Sequence, residues 1–529
     1  MSTKPASTTI PSLLRELATS HGDREAIVDG ERRVTYDQLH RAVENCAHGL
    51  AALGVKRDDK VAILMGNRLE WIVAAFAATC VGGIAVAVNT WSTSREIAYA
   101  VNYAEASYLI TTPTYMKYDY VQILDTLCAE GSLNRLKAII GVGSELPASW
   151  HSWNTLCAPR EAPYAVEGLA LPEPGDTAFI LFTSGSTSKP KGVELVHSSL
   201  IENTWNIGER QKVSESDKLW LAVSLFWGFG CSNALLNLLT HGGCIVLQES
   251  FDAAEALGML ERERCTLVYG TPNMIQALVD HPDRARRDLS ALRSGATLGT
   301  PEQIRRGVTL GATGICHVYG LTEVYGNCNV TNSDDPLELR MQSPGKPLPG
   351  TLQRIVDVQT GREVAVGEIG EVRLKGHVMK GYYNDPEQTA LAFDADGYFR
   401  TGDLGSVDAK GNLYFRGRIK EMVKTGGINV SPAEVESVLM THSGVHLAVV
   451  TGLPHPTRDE VLAAVIIPKA GCVVTEVELK AFCRINLAAY KVPVAFNFCK
   501  EEDLPLTTTG KVQKNLLAAS FFANSTAVI

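Results

Sequence analysis

"WIVAAFAATCVGGIAVAV", Trp71 to Val88, is the stretch whose reading decides the fold. It carries no charge and is nearly long enough to cross a bilayer as one helix. Gly82-Gly83 divides it, however, into an alanine-rich first part and the short run "IAVAV". A run of that length bounded by glycine reads as a fully buried strand of a parallel sheet. The stretch is therefore read as a buried helix, a glycine turn and a buried parallel strand, which makes the chain layered α/β and leaves no membrane span.

The sequence on either side repeats this alternation. In "YDQLHRAVENCAHGLAALGV" the residues Leu39, Val43, Cys46, Leu50 and Leu53 recur at helical spacing and Gly54 supplies a stop. "KVAILM" follows as a strand, and "AFILF" (178–182), "GCIVLQ" (243–248) and "CTLVYG" (265–270) read as further strands near helical stretches. Strands alternating with helices imply mainly parallel sheets layered with helices. From about Gly345 the texture changes: "GKPLPGTLQRIVD", "GEIGEVRLKG" and "GNLYFRGRI" are short strands between glycine turns. After Lys420 comes a small α+β part, with "AEVESVLMTH" and "EVELKAFCRINL" as helices and "HLAVVTGLP" and "LAAVIIPK" as strands. The expected organisation is an N-terminal domain over 1–419, with a β-rich subdomain at about 345–419, and a mobile C-terminal domain over 420–529. The main boundary is set at Arg418–Lys420. A chain of 529 residues is too long for one core.

Bulk properties exclude several classes. Lys and Arg number 49 against 58 Asp and Glu, a net charge of −9 without a basic block, so nucleic acid and anionic membrane are not expected partners. The 12 cysteines form no C-x-x-C pair, which points to reduced thiols and neither a zinc ribbon nor a disulfide framework. "MSTKPASTTIPSLL" lacks the order of a secretory signal and "NSTAVI" carries no retention or peroxisomal tripeptide, so a cytoplasmic protein is expected.

The chemistry begins at "ILFTSGSTSKPKGVELVH", Ile180 to His197. A strand followed by a Gly/Ser/Thr/Lys loop is a means of cradling phosphate with backbone N–H groups, hydroxyls and an ammonium. It is not a Walker A loop, because Pro190 stands where the second glycine belongs and Gly192 follows Lys191. Taken alone it points to phosphate, against a plainer reading as a flexible linker. Further on, "VYGLTEVYGN" sets Thr322 and Glu323 beside Tyr319 and Gly320, and "YFRTGDLG" holds Asp403 in a turn. "FRGRIKEMVKTGGINVSPAEVE" contains Arg418, Lys420, Lys424 and Gly426-Gly427, and "LPLTTTGKVQK" presents Lys511. Each has a plainer reading: a helix-cap carboxylate for Glu323, a turn residue for Asp403, solvated loop cations for the lysines.

Together, in this order, the motifs are similar to those of the AMP-forming acyl-CoA synthetases of the class I adenylate-forming superfamily. The resemblance runs from about Leu13 to the end. It implies a two-step reaction: a carboxylate attacks the α-phosphate of ATP to give acyl-AMP and pyrophosphate, then the thiol of coenzyme A displaces AMP. By that resemblance Thr183, Ser184, Gly185, Ser186, Thr187 and Lys191 hold the β- and γ-phosphates. Glu323 holds Mg²⁺, Thr322 contacts the α-phosphate, and Tyr319, Gly320, Gly295, Ala296 and Thr297 belong to the adenylate site. Asp403 takes the ribose hydroxyls with Arg418 beside it, and Lys511 serves the carboxylate and α-phosphate. A rotation about Lys420 replaces Lys511 by Lys424, Gly426 and Gly427 for the coenzyme A step. The implied partners are a small carboxylic acid, ATP and coenzyme A; a homodimer is left open.

The chain departs from the family pattern in three places. Ser188 stands for a glycine in the phosphate loop, and "SGATLG" (294–299) replaces a Gly-Gly-Ala-Pro turn. In "SLFWGFG" (224–230), Trp227 stands where many relatives have histidine. Phe226, Trp227, Gly228, Val324, Tyr325 and Gly326, with Phe229 nearby, are the expected acyl pocket, against a plain core-aromatic reading of Trp227. "SLFWGFGCSNALLNLL" has no Arg or Lys to pair with a second carboxylate, so an aromatic, alicyclic or medium-chain acid is expected. Rival readings are an acyl-AMP ligase serving a carrier protein, a luciferase-like oxidase and a binding module with a degenerate site. A dinucleotide oxidoreductase is disfavoured, because "VAILMGNRLEW" lacks G-x-G-x-x-G.

Overall fold

The computed structural model describes residues 3–159, 171–183, 190–425, 428–506 and 512–523. The Trp71–Val88 stretch folds as read. Leu69–Cys80 is a helix buried continuously from Trp71 to Thr79, Gly82 turns the chain at φ +74°, and Ile84–Ala87 is a strand buried at every position. That strand pairs in parallel with Lys60–Leu64 on one side and Thr177–Thr183 on the other. The helix packs against Ile10–His21 and Tyr36–Ala52, and Trp71 stacks on Phe179 at 6.5 Å. Among the described residues no helix is long and apolar enough to cross a membrane.

The chain divides into two compact units, Met1–Leu352 with Leu374–Phe399, and Gln353–Arg373 with Arg400–Ile529. Among the described residues the first unit carries two eight-stranded sheets. One runs Gly381–Tyr382, Lys191–Val196, Thr177–Thr183, Ile84–Ala87, Lys60–Leu64, Tyr108–Thr111, Ala138–Gly141, His151–Ser152. It is parallel from Thr177–Thr183 onward, and Lys191–Val196 folds back antiparallel with Thr183 opposite Lys191. The other has a parallel centre of Gly314–Tyr319, Ser294–Thr297, Leu267–Tyr269, Lys218–Leu221, Cys244–Leu247 and Glu25–Asp29, flanked by antiparallel Asn329–Val330 and Arg32–Thr35. Leu221 stands beside Tyr269, Tyr269 beside Ala296, and Thr297 beside His317. The segments after these strands therefore leave the sheet at one edge, the carboxyl edge where ligands of open α/β sheets bind.

The second unit contains a sheet ordered Ile428–Val430, Val423–Thr425, Asp459–Pro468, Val445–His455, with Ala495–Phe498 also pairing on Asp459–Pro468. The helices Pro432–Met440 and Glu476–Asn486 form where helical spacing places them. The boundary expected at Arg418–Lys420 lies inside this unit. Leu413–Arg418 is tied to the chain beyond it: Ser431 Oγ donates to Arg416 O at 2.5 Å, and a Cβ on Gly417 would come within 2.8 Å of that hydroxyl.

Two buried histidines give this fold a pH dependence. His197 opens the helix His197–Gln211 and accepts the Ile10 N–H on Nδ1 at 3.2 Å, which requires a bare ring nitrogen. Burial takes its pKa down to about 4. His317, in Gly314–Tyr319, is also taken down to about 4, mainly by burial, against the opposing effect of the Arg340 carbonyl 2.9 Å away. Both groups hold more protons in the unfolded chain between a pKa of about 6.5 and 4, so stability is lost as pH falls through that window. The urea midpoint is expected to fall from pH 6.5 to 4, and less steeply in His197→Gln. Identical slopes in the two proteins would show that His197 contributes nothing to it.

Candidate active site

At the carboxyl edge the strand Gly314–Tyr319 passes through Gly320 and Leu321 into a 3₁₀ turn, Thr322–Val324. Tyr325 then adopts φ +61° and Gly326 φ +89°. A left-handed tyrosine costs roughly 1–3 kcal/mol and persists only where its surroundings fix it. Here its hydroxyl accepts the Val196 N–H at 3.2 Å, and its carbonyl accepts Asn233 Nδ2 at 2.7 Å and Ser232 Oγ at 3.4 Å. Asn203 Nδ2 donates to Asn327 O at 3.0 Å. The loop closes tightly: a Cβ on Gly320 would stand 1.7 Å from Gly326 O, and one on Gly326 2.0 Å from Asn233 Oδ1.

Glu323 points inward at 8% exposure. Its Oε1 accepts the Tyr382 hydroxyl at 2.9 Å, and its carbonyl accepts the Met379 N–H at 2.7 Å. Burial, and then the Glu323 charge, raise the Tyr382 pKa far above the usual phenol range, so Tyr382 remains the donor. Lys191 Nζ sits 4.6 Å over the Tyr382 ring and donates to Gln388 Oε1 at 2.8 Å. The two meet because Gly381–Tyr382 pairs beside Lys191–Val196. Neither Tyr382 nor Gln388 stands out in the sequence; the available signal is "GYYNDPEQ", a glycine-aromatic run opening a helix capped by Asp385. Thr183 and Lys191 face each other across the hairpin, while Ser184, Gly185, Ser186 and Thr187 lie outside the described residues.

A buried carboxylate suits a hard cation that takes its other oxygens from phosphate and water, as Mg²⁺ does. Among the described residues no group of three or more His, Cys, Asp or Glu is placed to hold a metal ion. This donor set therefore fits Mg²⁺ arriving with a nucleotide and does not fit a metal caged by protein ligands alone.

The apolar side is built from Trp91, Phe226 and Trp227, whose rings meet edge-on at 5.3 to 5.4 Å. Trp91 is distant in sequence, and no local motif points to it. Gly228 faces Gly326: a Cβ on Gly228 would stand 3.8 Å from Gly326 Cα. Trp227 leads through Gly228–Gly230 into a π-helix, Cys231–Leu236, which presents Ser232 and Asn233 to Tyr325. Phe226, Val324 and Tyr325 are buried, Trp227 and Phe229 partly so, and Phe229 packs on Tyr269 at 5.1 Å. Tyr325 is thus a strut under the loop, with its ring fully covered.

Gly295, Ala296 and Thr297, expected in a turn, are buried inside the strand Ser294–Thr297 with parallel neighbours on both sides. A Cβ on Gly295 would stand 1.9 Å from Val268 O, so close strand packing demands glycine there. The exposed turn begins one residue later, at Leu298-Gly299. Tyr319, Gly320 and Thr322 are partly exposed at the same edge.

In the second unit Asp403 is 2% exposed, and Arg418 Nε lies 3.1 Å from its Oδ1. The turn before it is anchored by Thr401 Oγ1, which donates to Val372 O at 2.6 Å and accepts the Asp403 N–H at 3.0 Å. Glu371, buried against Arg373 at 2.8 Å, accepts the Gly402 N–H at 3.3 Å. Lys420 is exposed in the 3₁₀ turn Ile419–Glu421. Lys424 is exposed on Val423–Thr425, its N–H donated to Glu460 Oε2 at 2.9 Å and its ammonium 3.9 Å from Asp459. Gly426, Gly427 and Lys511 lie outside the described residues.

Comparison with known proteins places this geometry. Residues 14–383 match the AMP-binding enzyme family and residues 434–511 the AMP-binding enzyme C-terminal domain. The chain is 34% identical to the feruloyl-CoA synthase of an Amycolatopsis species, covering 94% of this chain and 96% of that one. It is 32% identical to the 3-[(3aS,4S,7aS)-7a-methyl-1,5-dioxo-octahydro-1H-inden-4-yl]propanoyl:CoA ligase of Rhodococcus jostii, covering 96% and 98%. Among solved structures, the anthranilate CoA ligase AuaEII in complex with anthranoyl-AMP superposes with a TM-score of 0.87 at 27% identity, covering 98% of both chains.

The glycine geometry gives a direct check. Gly320→Ala is expected to destabilise the protein by about 1–3 kcal/mol, as overpacking against fixed backbone does. Gly258→Ala, in the helix Ala253–Arg262 with nothing within 4 Å of the added carbon, is expected to stabilise it by about 0.5–1 kcal/mol. Urea titrations read both, and equal effects would contradict the tight closure of the 320–326 loop.

Proposed function

The chain belongs to the AMP-binding enzyme family, and from that membership we infer an AMP-forming carboxylate–CoA ligase that adenylates an apolar carboxylic acid with ATP and transfers the acyl group to coenzyme A. At the level of the site, the observation that carries the reading is Glu323, buried and oriented beside Lys191 through Tyr382 at the carboxyl edge of the sheets. A carboxylate is a poor electrophile because its charge repels a nucleophile. Adenylation removes that charge and supplies a leaving group.

The residues divide by role. Thr183, Ser184, Gly185, Ser186, Thr187 and Lys191 bind the β- and γ-phosphates, where positive charge and N–H donors offset the charge of the departing pyrophosphate. Glu323 would hold Mg²⁺, which would offset the charge of the phosphates, and Thr322 contacts the α-phosphate. Asp403, held in its turn by Thr401 and flanked by Arg418, accepts from the ribose hydroxyls. Tyr319, Gly320 and the strand end at Gly295, Ala296 and Thr297 belong to the adenylate site. Lys511 acts in adenylation; Lys424, Gly426 and Gly427 act in the coenzyme A step, with Lys420 as the hinge between the two.

The apolar wall of Trp91, Phe226 and Trp227, with Gly228 beside it, supports an acid bearing an apolar ring or chain. The absence of Arg and Lys from Ser224–Leu239 leaves a second carboxylate without a cation in that segment. A cytoplasmic location completes the reading, supported by cysteines that are all free among the described residues.

The deciding experiment supplies ATP and Mg²⁺ with a panel of aromatic, alicyclic and medium-chain acids, with and without coenzyme A, and measures AMP, pyrophosphate and acyl-CoA. Acyl-CoA formation from an apolar acid is expected; adenylate accumulation with no use of coenzyme A would overturn the ligase reading. Lys511→Ala is expected to lower adenylation by at least about a hundredfold, the order of general electrostatic contributions of one donor, while sparing thioester formation from supplied acyl-AMP. Lys424→Ala is expected to do the reverse. Equal loss of both steps in either variant would refute the division of roles.

A further inference from the structure

We propose that Tyr382 is a positioning residue for adenylation, whose hydroxyl fixes the orientation of the Glu323 carboxylate toward the cation, while its ring seats the Lys191 ammonium. The inference rests on Glu323 being the carboxylate that holds Mg²⁺.

A carboxylate has two equivalent oxygens and a freely rotating terminal bond, so a lone glutamate is an imprecise ligand. Outer partners that engage the remaining lone pairs of a ligand set its orientation. Glu323 meets this need from one short segment. Its Oε1 accepts the Tyr382 hydroxyl at 2.9 Å, and its own carbonyl accepts the Met379 N–H at 2.7 Å. Side chain and backbone are therefore both held by residues 379–382.

Tyr382 is itself fixed at three points. It pairs with Val193 across the strands, its N–H donates to Thr389 Oγ1 at 2.9 Å, and its carbonyl accepts the Asp385 N–H at 3.1 Å. The ring face that remains carries Lys191 Nζ at 4.6 Å, a cation–π contact. The ammonium is completed by Gln388 Oε1 at 2.8 Å, from the first turn of the helix that Asp385 caps through the Gln388 N–H at 3.0 Å. One phenol thus orients an anion through its hydroxyl and a cation through its face. The two groups given to the metal and to the phosphates share a single support.

The test separates hydroxyl from ring. ATP binding is measured by calorimetry across a Mg²⁺ titration, without any carboxylic acid, alongside AMP binding without Mg²⁺. Tyr382→Phe keeps the ring and removes the donor: the Mg²⁺ needed for half-maximal ATP binding is expected to rise about tenfold, at the lower end of effects from outer partners of metal ligands, with AMP affinity within twofold of wild type. Gln388→Ala is expected to weaken ATP binding at saturating Mg²⁺ without changing the Mg²⁺ requirement. Glu323→Gln is the reference for the underlying reading. An unchanged requirement in Tyr382→Phe together with a raised one in Glu323→Gln overturns the role of Tyr382 and leaves Glu323 standing. An unchanged requirement in Glu323→Gln sinks the metal reading and this inference with it. A parallel loss of AMP affinity in Tyr382→Phe would mark Tyr382 as merely structural, and Gln388→Ala then tests the Lys191 half alone.

Discussion

The register of one parallel sheet is the constraint on which the candidate site in the first unit depends. Leu221, Tyr269, Ala296, Thr297 and His317 stand side by side, so the segments beyond them must emerge at one edge. A slip of one residue in any of these strands would turn its side chains to the opposite face. Gly295 enforces the register locally, because only a residue without Cβ fits against Val268 O. Given that edge, the loop after Tyr319 has nowhere to go but between the hairpin at Val196 and the π-helix at Ser232 and Asn233, and both grip Tyr325.

The grip is polar and almost wholly buried. Asn203, Asn233 and Asn327 are 0 to 5% exposed, and their amides bind carbonyls of the loop or supply them. A hydrogen bond of this kind contributes about 0.5–1.5 kcal/mol net, so two or three of them offset the left-handed backbone at Tyr325. The loop is therefore held in one geometry by the core, and Glu323 inherits that geometry before any ligand arrives.

How much of this is legible in the sequence depends on how local each cause is. The Trp71–Val88 stretch is readable because a glycine pair and a change of side-chain type lie within it. The helix Tyr36–Ala52 is readable from its own spacing, and the adenylate-forming motifs because each is a short run. Trp91 and Tyr382 are not readable. Each matters only through a partner far along the chain, Trp227 and Glu323 respectively, and nothing in "NTW" or "GYY" names that partner. Gly295–Thr297 reads as a turn because the family it resembles has a Gly-Gly-Ala-Pro turn there; parallel neighbours on both sides place these residues in a strand. The tie between Leu413–Arg418 and the chain beyond it is hidden for a similar reason. The bond from Ser431 to Arg416 spans 15 residues and leaves no trace in composition.

The π-helix at Cys231–Leu236 has an evolutionary consequence. A π turn is an α-helix with one residue too many, and each residue turns an ordinary helix by about 100°. Deleting a single residue from this segment would rotate Ser232 and Asn233 away from the Tyr325 carbonyl while also shifting Trp227 against Trp91. The aromatic wall and the loop carrying Glu323 are thus coupled by one surplus residue. The length of the segment therefore cannot change in evolution without rebuilding the loop that carries Glu323.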